Sequence, residues 1–176
     1  QGSGIEVIST ENGARLAPGA FTLAGDHVDV GAYEYRLQQT AHAARLQSSY
    51  RAEVPLVSAL PAQLRQADMA MLGDLHKRLG DEVAGSGAGR RAWGRIVRTD
   101  PSIHQQGTVK AQSSGHLTGF QAGLDLYAGK SVNAGFYLGE LKGDMSVNGF
   151  ASGVARKSVG YNHLQSRYLG AYGTWQ

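Results

Sequence analysis

The sequence predicts a mainly β chain interrupted by one amphipathic α-helix. Three observations predict it. Residues 1–37 alternate apolar and polar side chains in short runs broken by Gly and Asn, and residues 58–80 carry apolar side chains at helical spacing. Beyond a Gly-rich joint at 85–89 the period returns to two.

In the first stretch Ile5, Val7 and Leu16, then Phe21 and Leu23, then Val28 and Val30, then Tyr33, Tyr35 and Leu37 fall at spacing two within their segments. Asn12-Gly13, Pro18-Gly19 and Gly25-Asp26 supply turns between them. Strands this short suit either a stack of hairpins or the rungs of a parallel β-helix, and no strict repeat chooses between the two. Residues 38–57 read as a polar connector ending near Pro55.

The helix is predicted over 58–80. Pro61 suits its first turn, with Ser58 as a cap just upstream. Leu60, Leu64, Ala67, Met71, Leu75 and Leu79 recur at steps of three or four, one face about 30 Å long. Lys77 and Arg78 sit in the last turn, where the helix dipole favours cations, and Gly80 suits a left-handed cap.

After the joint, Phe120, Ala122, Leu124 and Leu126 point to one side while Gln121, Gly123 and Asp125 point to the other. Lys130-Ser131 turns the chain. Val132, Ala134, Phe136 and Leu138 then alternate with Asn133, Gly135, Tyr137 and Gly139. Ala92 to Val97 and Tyr168 to Trp175 look like flanking strands. The result is one apolar face and one face of Gly, Asn and Gln, with Trp93, Tyr127, Tyr137 and Trp175 near strand ends. Outer-membrane barrels carry this pattern, and so do soluble antiparallel domains.

Composition narrows the function classes. Of 176 residues, 41% are hydrophobic and 18% charged, which suffices for a core. Zero Cys excludes a disulfide scaffold, a thiolate zinc finger and a Cys nucleophile. The 25 glycines show no period of three and only 4 prolines accompany them, so neither a collagen-like nor a Pro-rich disordered chain fits. A formal charge of +3 with scattered basic pairs does not call for nucleic acid. No apolar run reaches the length of a membrane-spanning helix. The chain opens on Gln1 with no signal region, as expected of an excised piece.

No constellation carries chemistry. Gly129-Lys130-Ser131 ends like a phosphate loop, but Gly123 stands one residue too far upstream and a strand follows where a helix is required. The glycines at 85–89 follow no strand and read as a linker. Six histidines are dispersed, without paired ligand spacing. Asp26, His27 and Asp29 share a turn that no nucleophile elbow accompanies. No enzyme, cofactor or metal site is expected.

The helix and its flanks resemble the passenger–barrel junction of type Va autotransporters. The resemblance lies in Tyr50-Arg51-Ala52-Glu53-Val54-Pro55-Leu56, Ala59-Leu60-Pro61-Ala62-Gln63-Leu64 and Leu75-His76-Lys77-Arg78-Leu79-Gly80-Asp81, then the joint and Trp93-Gly94-Arg95. Gly31-Ala32-Tyr33-Glu34-Tyr35-Arg36-Leu37 resembles the strand ending a pertactin-like passenger. Gly119 to Asp125 and Gly135-Phe136-Tyr137 resemble the following barrel strands. The set runs in order along essentially the whole chain.

That resemblance implies three regions: 1–37 as the end of a β-helix passenger, 38–89 as a linker with a pore-threading helix at 58–80, and 90–176 as about four strands of an incomplete transmembrane β-barrel. It implies that Leu60, Leu64, Met71, Leu75, Lys77, Arg78 and Leu79 belong to a helix inside the lumen. From alternation, Arg95, Gln121, Asp125 and Asn133 would face that lumen. Phe120, Leu124, Leu126, Val132, Phe136 and Leu138 would face lipid. The implied function is passenger translocation and anchoring at the outer membrane of a Gram-negative cell, the passenger lying at the surface. The implied partners are outer-membrane lipid, the barrel-assembly machinery and the chain's own passenger, with no nucleic acid.

Two departures qualify it. About four strands cannot close a barrel, so the chain is expected to be a fragment or a truncated relative. Some relatives cut themselves at an Asn-Asn pair in the lumen helix. Here Gly73-Asp74 occupy that place, and the cyclising amide is missing. The competing expectation is a soluble all-β adhesin or interaction domain with the helix packed on a four-stranded sheet.

Overall fold

The computed structural model describes residues 4–77, 91–128 and 132–175. Among the described residues the elements are nine strands and one helix: β1 (Ile5–Ser9), β2 (Val28–Val30), β3 (Tyr33–Gln39), β4 (Ala43–Tyr50), α1 (Glu53–Lys77), β5 (Arg91–Thr99), β6 (Ser102–His104), β7 (Gln112–Ala128), β8 (Val132–Ala151) and β9 (Val154–Trp175). The fold is mainly β, as expected. Two compact units divide it: 1–58 with 106–111 and 148–159, and 59–105 with 112–147 and 160–176.

The first unit holds an antiparallel sheet in the order β1-β4-β3-β2. Leu16, Phe21 and Leu23 fall in irregular backbone between turns before β2 rather than in strands. The polar connector expected at 38–57 is corrected here, because Ala43–Tyr50 forms an interior strand of this sheet. Its residues are small or polar and show little hydrophobic alternation. The ladder to β3, from Tyr33↔Tyr50 to Gln39↔Ala44, supplies the order that pattern alone did not announce. Tyr33 stacks on Tyr50 with centroids 5.0 Å apart, and Phe150 meets Tyr50 edge-on at 6.4 Å. The Tyr50 carbonyl accepts from the Ser152 amide at 2.8 Å.

The helix begins earlier than predicted, at Glu53. Pro55 lies in its first turn, where amides have no intrahelical acceptor, and Pro61 falls inside the helix. Ser58 is therefore not a cap; its hydroxyl donates back to the Pro55 carbonyl at 3.0 Å. The predicted cap at Gly80 and the joint at 85–89 lie outside the described residues, as does the turn at Lys130-Ser131.

The second unit is built on the strand order β5-β7-β8-β9, with β6 pairing β7. β7, β8 and β9 run 17, 20 and 22 residues, far beyond the stretches that hydrophobic alternation marked. The connection from β8 to β9 at Ser152-Gly153 has φ of 51° and 73°, the backbone of a two-residue hairpin turn whose twist suits long strands. The core lies on one side of this sheet: Ala67 and Met71 of the helix pack with Val97, Leu117, Leu141, Met145 and Leu164.

Candidate functional site

Strict alternation gives the long sheet two unlike faces, and the helix covers only one of them. On β5 the covered face takes Trp93, Arg95 and Val97. On β7 it takes Leu117, Gln121 and Asp125; on β8, Gly135, Gly139, Leu141 and Met145; on β9, Leu164, Tyr168 and Tyr172. Buried helix residues recur every fourth position at Ala59, Gln63, Ala67 and Met71.

This corrects the predicted stripe by a fraction of a turn. Leu60 packs at the edge of the core and Met71 within it, but Leu64 is 43% exposed. The sheet selects small residues and one amide for the closest approach, because a Leu at every fourth position would hold the backbones apart. Leu75 and Lys77 are helical, whereas Arg78 and Leu79 lie outside the described residues.

Polar groups on the covered face bind one another and the helix. Arg95 Nε donates to Gln121 Oε1 at 2.8 Å, and Arg95 Nη2 donates to that oxygen and, at 3.1 Å, to the Met71 carbonyl. Gln121 is 1% exposed, so its oxygen gains a donor that water cannot replace. The Trp93 indole donates to the Tyr172 hydroxyl at 3.0 Å, and that hydroxyl donates to Asp125. Asn162 Nδ2 donates to Gln63 Oε1 at 2.9 Å, and the Tyr168 hydroxyl donates to Asp68 at 3.1 Å. Asn133 lies half-buried with the parity of Gly135 and Gly139. The structure thus brings Arg95, Gln121 and Asp125 onto one face with the helix.

Two of these positions exist because a glycine has no side chain. A Cβ on Gly139 would stand 2.8 Å from the Met71 methyl and 2.7 Å from the Phe120 carbonyl oxygen. The Trp93 ring occupies the place a Gly123 side chain would take, and Trp93 pairs directly with Gly123 across the ladder.

The opposite face is uncovered and apolar. Phe120, Leu124, Leu126, Val132, Phe136 and Leu138 all lie exposed on it, Phe136 at 54%. Ile96 at 87%, Leu169 at 85% and Trp175 at 86% extend the patch across all four long strands. Along each of β7, β8 and β9 it covers seven residues, about 23 Å of strand. Exposed apolar area on this scale exceeds what soluble monomers ordinarily carry. The aromatic residues split between the faces. Trp93 and Tyr137 are on the helix side and Trp175 is on the apolar side; Tyr127 is exposed at its strand end.

At one end the apolar patch stops abruptly. Arg98 follows Ile96; Thr118 and His116 precede Phe120; Glu140, Lys142 and Asp144 follow Leu138; His163, Gln165 and Arg167 precede Leu169. Within this belt His163 Nδ1 meets Asp144 at 2.7 Å, His116 meets Asp100 at 3.4 Å, and Gln165 donates to Glu140 at 2.6 Å.

Sequence reasoning missed the Tyr172 hydroxyl network and Gln63. Tyr168 to Trp175 was expected only as a flanking strand, and the partners of Tyr168 and Tyr172 come from distant segments. The Asp26, His27 and Asp29 turn is an ion-pair cluster: Asp26 pairs with Arg36 at 3.0 Å, and Asp29 with Arg51 at 3.3 Å and His27 at 3.7 Å. Among the described residues no group of three or more His, Asp or Glu could hold a metal, and no helix is long and apolar enough to cross a membrane. No protein-family model and no solved structure matches this chain.

Proposed function

We propose that this chain belongs to an autotransporter of type V secretion and helps deliver and anchor a passenger at the Gram-negative outer membrane. One observation carries the reading. The helix covers the face lined by Gly, Gln, Asp and Arg with a narrow apolar strip, while the large apolar side chains stand uncovered on the other. A soluble layer structure buries the more apolar face.

In this reading Ile96, Phe120, Leu124, Leu126, Val132, Phe136, Leu138 and Leu169 touch lipid tails. The strands give the backbone a hydrogen-bonded path through the bilayer. The helix fills the lumen and tethers the surface part, and β1–β4 close the end of a β-helical passenger. Further strands must pair the outer edges of β5 and β9, since open edges are not tolerated in lipid. The work is mechanical: binding and sealing, with no group of the chain reacting.

The competing reading, a soluble adhesin with the helix packed on the sheet, accounts for the cluster around Met71 but leaves the whole opposite face in water. A Trp93→Phe variant leaves Trp175 as the sole indole. Refolded with lipid vesicles, its emission should shift to the blue and be quenched by brominated acyl chains. Full-length protein found only in the cytosol or soluble periplasm, with Trp175 unquenched, would refute the proposal.

A further inference from the structure

We propose that Asn12 is a self-modifying site: the Gly13 backbone nitrogen displaces its side-chain amide, so that this exposed turn converts to aspartate or isoaspartate as the folded chain ages. The inference is independent of the membrane reading. Three observations carry it.

The turn presents the reacting groups. Asn12 and Gly13 have φ of 53° and 77°, the left-handed pair of a type I′ turn, closed by the Ala14 amide donating to the Glu11 carbonyl at 3.0 Å. Both residues are exposed, and a Cβ on Gly13 would meet nothing within 4 Å. With no side chain on the following residue, the approach of its nitrogen to the Asn12 Cγ is unhindered. Among the described residues the Gly13 amide donates to no acceptor, so its proton is open to base.

The flanks hold while the turn changes. The Thr10 amide donates to the His42 carbonyl and the Leu16 amide to the Ala41 carbonyl, each at 2.9 Å. The extra main-chain carbon of an isoaspartate is therefore confined between them, at a loop tip of the kind that tolerates insertion.

The chain also carries its own control, because Asn148-Gly149 is the other Asn-Gly pair and lies inside β8. Asn148 is half-buried and Gly149 buried, and a Cβ on Gly149 would stand 2.6 Å from the Pro55 ring. The Phe150 amide just beyond donates to the Val109 carbonyl at 2.7 Å. Ring closure needs the asparagine backbone to rotate until nitrogen reaches Cγ, and a strand interior holds them apart.

The step balances with water as the co-reactant. Base removes the Gly13 amide proton, the nitrogen bonds to the Asn12 Cγ, and the bond from Cγ to the side-chain nitrogen breaks. Ammonia leaves with that proton, and a succinimide remains. Water then adds at Cγ, breaking the new bond to give aspartate, or at the main-chain carbonyl, breaking the original peptide bond to give isoaspartate. Either product adds a negative charge to the turn.

The test incubates the folded chain in mildly alkaline buffer and follows ammonia release, peptide mass and isoaspartate content. Asn12 should convert progressively, faster as pH rises, until ammonia is stoichiometric with the chain, while Asn148 stays intact. In urea both pairs should convert. Asn12→Gln should lose nearly all the release from the folded chain and keep the fold, since the residue is exposed. An Asn12 that persists in the folded chain while converting in urea would overturn the proposal. So would an Asn148 that converts as fast as Asn12, because the turn would then confer nothing.

Discussion

The Met71 methyl fills the space a side chain on Gly139 would need, so the helix is seated on the sheet by a residue that has none. Strand propensity favours Val over Gly, whereas close approach forbids it, and the two effects predict opposite signs. With the Phe120 carbonyl oxygen 2.7 Å from the added Cβ, close approach wins. Gly139→Val should destabilise the second unit by about 1–3 kcal/mol and expose the helix to protease, read by urea unfolding and limited proteolysis.

Met71 and Leu64 are both large and apolar on one helix, yet only Met71 is packed, 2% exposed against 43%. Met71→Ala should leave a cavity against Gly139 and destabilise the second unit by about 2–5 kcal/mol, because the whole side chain is packed. Leu64→Asp should change stability by no more than about 0.5 kcal/mol in thermal unfolding. If Leu64→Asp unfolds the unit instead, the packed face is the original leucine stripe.

Arg95 ties two elements together. Arg95→Ala leaves the Gln121 oxygen buried without its donor and should cost about 1–3 kcal/mol. Arg95→Lys restores charge but not the planar fork, and should recover only part of the loss. Hydrogen exchange near Met71 would localise the effect to the helix.

Phe136 separates the two functional readings. At the middle of a bilayer an Arg on the lipid face costs about 2–4 kcal/mol. On a soluble protein the same half-exposed site would accept Arg readily. Phe136→Arg should therefore deplete the protein from the membrane fraction without harming its folding in detergent.

Glu34 gives the first unit an acid limb. Burial raises its pKa, but hydrogen bonds from Arg36 and Ser152 and the charges of Arg36 and Lys157 outweigh that, leaving it below the ordinary 4.5. A lowered carboxylate stabilises the fold above the unfolded value and loses that contribution as pH falls through the folded one. Thermal stability of the first unit should drop on acidification below about pH 4.5, and Glu34→Gln should flatten that drop.

Legibility followed the reach of each interaction. The outward positions of Phe120, Leu124, Phe136 and Leu138 were readable because a strand's period of two is local. The same parity put Arg95, Gln121 and Asp125 on the other side. β4 was not readable, since Ala43–Tyr50 offers no alternating apolar face and becomes a strand through pairing with β1 and β3. The ends of β7, β8 and β9 escaped as well. Beyond Leu138 the outer face turns polar while the inner one stays apolar at Leu141, Met145 and Val147, so a single-face pattern runs out before the ladder does.

The sequence by itself determined the body of the helix and, within the alternating stretches of the long strands, which side chains share a face, because alternation is a property of neighbouring residues. Tertiary structure alone decided which face the helix covers, that Ala59, Gln63, Ala67 and Met71 rather than the leucines approach the sheet, and that Trp93 and Asp125 meet at Tyr172. Those choices depend on the distance between two backbones. Only the glycines and small residues of several distant segments, packed together, set that distance.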